Sequence, residues 1–86
     1  MNTKAIYTLA MASIAVPMAE VATRRLMHEA DAARIAWEAA GSPDSGPEHD
    51  TYDDAAARFQ ASVVAYVEAF RLRESAFKRV AKEVQP

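Results

Sequence analysis

The chain has 86 residues, 10 Lys plus Arg against 12 Asp plus Glu, a formal net charge of -2, no cysteine and 2 glycines. A chain this short buries only about 60–65% of the surface its unfolded form exposes, which limits it to one domain or half of a symmetric assembly and argues against a deep catalytic cleft. The lack of Cys excludes a disulfide framework, a thiol nucleophile and a thiolate zinc site. The charge excludes a globally basic nucleic-acid binder, and 20 alanines within a 51% apolar composition exclude a disordered chain.

Residues 5–19, from Ala5 to Ala19, carry no charge. Behind Lys4 the run has the outline of a short secretory signal, with Ser13 and Ala15 before a cleavage site, although Thr8, Ser13 and a low leucine content weaken its apolar region. On its own the run is shorter than the roughly 20 apolar residues a membrane-spanning helix needs. The preferred expectation is an N-terminal helical extension, bent or restarted at Pro17 and apolar all round because a partner covers it. The expected localisation is accordingly cytoplasmic, or periplasmic or secreted if residues 1–15 or 1–19 are removed.

From Met18 to Ala40 the positions Ala22, Leu26, Ala30, Ala33, Trp37 and Ala40 share one helical face, with Glu20, Arg24, His28, Asp31, Arg34 and Glu38 mostly opposite. Gly41 is placed to end this helix in a left-handed conformation. Both glycines and two of the prolines fall in Gly41-Ser42-Pro43-Asp44-Ser45-Gly46-Pro47, the chain's only internal break.

Beyond the break, Tyr52, Ala56, Phe59, Val63, Tyr66, Phe70, Arg73, Phe77, Val80 and Val84 alternate steps of four and three. That heptad predicts a helix of about 33 residues with one ring-filled seam for another helix, interrupted only by Arg73. Thr51 is expected to cap its first turn, with Asp53 and Asp54 at the positive end of the helix dipole. The expected fold is all-α: helix one over about 3–40 with a bend near 17, a loop over 41–50 and helix two over about 51–84. Val64, Val67 and most of residues 5–19 lie off the stripe, so the hairpin is expected to pair with a second copy into a four-helix bundle. Arg73 would then set register or oligomeric state.

Chemistry-bearing motifs are sparse. His28 and His49 lack metal-ligand helical spacing, and Asp44, Glu48, His49, Asp50, Asp53 and Asp54 lack the calcium-loop pattern. No Gly-x-Ser-x-Gly, phosphate-cradling loop or Ser-x-x-Lys element occurs. No cofactor and no enzymatic activity are expected.

Charge is polarised: residues 42–54 carry five acids and no base, whereas residues 55–86 carry six bases and three acids. The leading expectation is a non-enzymatic interaction protein that occludes or bridges a surface of a larger partner, as an inhibitor, anti-activator or adaptor of the kind phages and mobile elements encode. Trp37 would anchor that unidentified protein, and Asp50, Asp53 and Asp54 would steer the association. The alternative is a helical RNA- or DNA-binding accessory factor that uses Arg71, Lys78, Arg79 and Lys82.

Overall fold

The computed structural model describes residues 3–84 as two helices and no strand, α1 (Thr3–Ala39) and α2 (Pro47–Val84). They fold back on each other as an antiparallel hairpin measuring 64 × 17 × 15 Å, with a radius of gyration of 18.8 Å. A globular chain of this length would have a radius near 12 Å. The described residues therefore form a rod with a short loop at one end and Thr3 and Val84 at the other.

α1 is unbroken. The N-terminal segment is not a separate element: the helix continues through Pro17. The proline removes the donor for the Ser13 carbonyl, but both residues are exposed, so water can take that bond. At its other end Gly41 has φ 92°, its N–H donates to the Glu38 carbonyl at 3.0 Å and the Ser42 N–H to the Trp37 carbonyl at 2.9 Å. This pair of bonds is a Schellman cap and satisfies two carbonyls that the helix end leaves open.

α2 begins four residues before the expected Thr51. Pro47 takes the first helical position, where its missing N–H costs nothing, and the Asp50 N–H donates to the Gly46 carbonyl at 3.0 Å. Glu48 and Asp50 thus occupy the dipole-favoured first turn. Thr51 lies inside the helix and does not cap it.

The two helices meet along alanine-lined stripes. On α1 the covered residues Ala5, Leu9, Ala12, Val16, Ala19, Thr23, Leu26, Ala30, Ala33 and Trp37 step by four and three throughout. The uncharged segment therefore belongs to the same seam as the rest of the helix, and α2 covers one side of it. On α2 the covered series is Tyr52, Ala55, Phe59, Ser62, Tyr66, Ala69, Arg73, Ala76 and Val80, with Ala56 and Ala81 half-buried at its edge. Half of the expected stripe is present, the column Tyr52, Phe59, Tyr66, Arg73 and Val80. The other half is replaced: Ala55, Ser62, Ala69 and Ala76 face α1, and Val63, Phe70 and Phe77 do not.

The reason is size. Alanine and serine columns let two helix backbones approach closely, and the rings of Tyr52, Phe59 and Tyr66 then lie over the small residues of α1. Thr23 and Ser62 mark the close approach near mid-rod, with hydroxyl oxygens 2.6 Å apart and the Thr23 hydroxyl donating to the Ser62 carbonyl at 3.3 Å.

The resulting core is thin. Among the described residues the buried apolar set is Ala5, Ala12, Val16, Ala55 and Ala76, and no large side chain is fully buried. Ala12 and Ala76 are 2% and 3% exposed, so a larger residue would force the helices apart. Ala76→Leu is expected to destabilise the hairpin by about 1–3 kcal/mol, measured by thermal and urea unfolding followed by circular dichroism. An unchanged midpoint would mean that the seam is not closely packed.

Candidate interaction surfaces

Three apolar surfaces remain exposed because each helix buries only one stripe. The first is the α2 column Val63, Phe70, Phe77 and Val84, adjoined by Val67 and continued toward the loop by the half-buried Ala56. Phe70 is 42% and Phe77 61% exposed. This column flanks the seam on one long side of the rod, where open grooves bring Leu9 beside Phe70 and Phe77, and Met27 beside Ala56, Phe59 and Tyr66. Ile6, at the same heptad position as Met27, is also exposed there. The opposite long side is more polar: Arg58 and Glu29 pair across the helices at 3.6 Å, and Leu72, two heptads on from Arg58, is the exposed apolar residue of that column.

The second surface lies on the back of α1. Tyr7, Met11, Ile14, Met18 and Val21 again step by four and three, on the face opposite the seam, and all are exposed. An 18-residue window of α1 reaches a mean hydropathy of 1.5, so this helix is long and apolar enough to cross a membrane. Signal sequences and core helices of soluble proteins meet the same criterion. The third is not a continuous patch but two isolated residues, Ile35 farther along α1 and Val64 on α2.

Arg73 stands between seam and column. It is half-buried, and its guanidinium carbon sits 5.0 Å from the centroid of the Phe70 ring, within cation–π range. Its charge therefore rests on an aromatic face at the edge of the first surface.

Trp37 has a different setting from that of a free anchor. Its indole N–H donates to the Pro43 carbonyl at 2.7 Å, and its ring lies 5.4 Å from that of Tyr52. The side chain ties the loop to the start of α2, and most of its surface is covered by this chain. The indole bond could have been anticipated only as a generic need of a half-buried Trp.

The charged groups sit where the rod's two ends differ. Asp44, Glu48, Asp50, Asp53 and Asp54 are exposed at and beside the loop, with the His49 ring 3.2 Å from the Asp50 carboxylate. Arg34 hydrogen-bonds Asp31 at 2.7 Å and Glu38 at 2.8 Å, and these bonds, Asp31 first, hold its guanidinium further above its ordinary pKa. Toward the open end, Arg71, Lys78, Arg79 and Lys82 are exposed on the outward side of α2, with Lys78 3.5 Å from Glu74. No group of three or more His, Asp or Glu side chains converges to hold a metal among the described residues.

No family model, curated protein or solved structure matches this chain.

Trp37→Phe keeps the ring contact with Tyr52 and removes the bond to Pro43. The expected loss is about 1 kcal/mol of stability, with faster amide exchange confined to residues 41–50, read by hydrogen–deuterium exchange. Uniform change along both helices would show that Trp37 acts on the whole hairpin and not on the loop.

Proposed function

We propose that this protein is a non-enzymatic protein–protein interaction module, a helical hairpin that pairs with a second copy into a four-helix bundle and occludes or bridges a surface of a larger partner. The observation that carries the reading is the exposed α2 column, Val63, Phe70 and Phe77 with Val67 beside it, on a hairpin whose buried core among the described residues is four alanines and one valine. A core that thin leaves little stability, and each Å² of apolar surface left wet forfeits about 25 cal/mol, so a second copy that covers the column supplies what the hairpin lacks. A cytoplasmic location fits the same packing. Ala5, Ala12 and Val16 are three of the five buried apolar residues, and cleavage after residue 15 or 19 would remove two or all of them.

The bundle leaves the acidic loop end free. Inhibitor, anti-activator and adaptor roles all require a docking site on another macromolecule, and Asp50, Asp53 and Asp54, exposed on the first turns of α2, suit a basic one. A second reading draws on the exposed Arg71, Lys78, Arg79 and Lys82 of α2, which would contact RNA or DNA phosphates. Glu68 and Glu83 interrupt that surface and Lys78 already lies near Glu74, which favours the first reading.

Light scattering is expected to give a particle of twice the 9.4 kDa chain mass at micromolar concentration. Phe70→Asp should weaken that dimer at least tenfold, or by more than about 1.4 kcal/mol. Leu72→Asp, 53% exposed on the opposite side, should leave it unchanged.

Affinity capture from the native host is expected to retain a protein partner that is released as salt rises and lost on joint charge reversal of Asp50, Asp53 and Asp54. Salt-sensitive retention of nucleic acid by the purified protein in filter binding, lost on Arg71→Glu with Lys78→Glu, would favour the second reading instead.

A further inference from the structure

We infer that the two copies stack with their loops at opposite ends of the bundle, about a two-fold axis that passes beside Phe70; the inference rests on the dimer proposed above and specifies its geometry. The two columns on the exposed long side differ in composition. On α2 the column reads Ala56, Val63, Phe70, Phe77, Val84 and contains no polar residue. On α1 the positions at the equivalent place read Ile6, Ser13, Glu20, Met27, Arg34, three of the five polar or charged.

Two hairpins laid face to face on this side have two symmetric arrangements. With loops at the same end, each α2 lies over the α1 of the other copy. Val63 then falls near Glu20, and Phe70 near Ser13, so rings and methyls meet a carboxylate and a hydroxyl. The Glu20 carboxylate, bonded to Arg24 at 3.0 Å, would then face the methyls of Val63.

With loops at opposite ends, α2 lies over α2 and α1 over α1. The apolar column then meets itself. An axis beside Phe70 pairs the two Phe70 rings, sets Val63 against Phe77 and Ala56 against Val84, because these residues lie one and two heptads on either side of Phe70. The same axis brings Ile6 of one copy near Met27 of the other, the two apolar members of the α1 column.

Charge selects the same arrangement. Residues 42–54 carry five acids and no base. Loops at the same end would place two such segments side by side. Loops at opposite ends carry Asp53 and Asp54 of each copy to within about 10 Å, along the rod axis, of the end that bears Lys4 and Lys82 in the other, by the 1.5 Å rise per residue.

The chain has no cysteine, so one introduced residue gives one label per copy. Ser45→Cys, in the exposed loop, is spin-labelled, and the distance between labels is measured by pulsed dipolar spectroscopy on a sample sized by light scattering. The expected result is a dimer with a separation of about 70 Å. Phe70→Cys is oxidised in parallel and should form a disulfide between copies, because cysteines that pair have Cα atoms within about 4.4–6.8 Å. A dimer whose loop labels lie within about 30 Å, or one that forms no Phe70→Cys crosslink, overturns the arrangement and leaves the dimer standing. A monomer at the measured concentrations overturns both.

Discussion

The close approach of two alanine columns is the constraint on which this molecule depends. Ala5, Ala12, Ala19 and Ala33 on α1 and Ala55, Ala69 and Ala76 on α2 hold no volume between the helices, so the backbones draw together and the larger side chains are displaced to the edges of the seam. The hairpin thus gains contact and shape specificity but little buried apolar area. Among the described residues the five buried ones are four alanines and one valine. Helices of this length are long enough to be partly self-supporting, yet most helix stability in water comes from tertiary packing. A rod of this kind is poised to accept more.

That displacement organises the rest of the surface. Rings that an aliphatic seam would have interleaved at the centre instead form a ridge along one long side, from Val63 to Val84, while the back of α1 keeps a second apolar stripe from Tyr7 to Val21. The polar groups are sorted along the length. Acids gather at the loop and the start of α2, where the helix dipole favours them, and bases gather toward the open end, at the dipole's negative pole on α2. Apolar character therefore differs between the sides of the rod and charge between its ends, which are the two asymmetries that a specific, oriented association needs.

The pattern of α2 shows how one helix can carry two overlapping heptads of which only one faces its partner helix in the hairpin. Tyr52, Ala56, Phe59, Val63, Tyr66, Phe70, Arg73, Phe77, Val80 and Val84 form a flawless four–three series, and so do Tyr52, Ala55, Phe59, Ser62, Tyr66, Ala69, Arg73, Ala76 and Val80. The two share a column. Weighting residues by hydrophobicity selects the first because phenylalanine and valine outrank alanine and serine. Packing selected the second, since closeness depends on small volume and not on apolar character. Residues 5–19 posed the converse difficulty. With no charge in the run, periodicity had no contrast to register against, and the in-phase series Ala5, Leu9, Ala12, Val16, Ala19 emerges only once α2 is seen to cover it.

The sequence by itself determined that there are two long helices, one break, a glycine-closed end to α1 and a charge gradient along the chain, because propensity, proline and glycine placement and capping are local properties. The tertiary structure alone decided that Pro17 is carried within a continuous helix, that Trp37 serves the loop, and which of two overlapping stripes on α2 faces α1. Those outcomes depend on which side chains the other helix presents, 39 residues away in the chain at the Thr23–Ser62 contact.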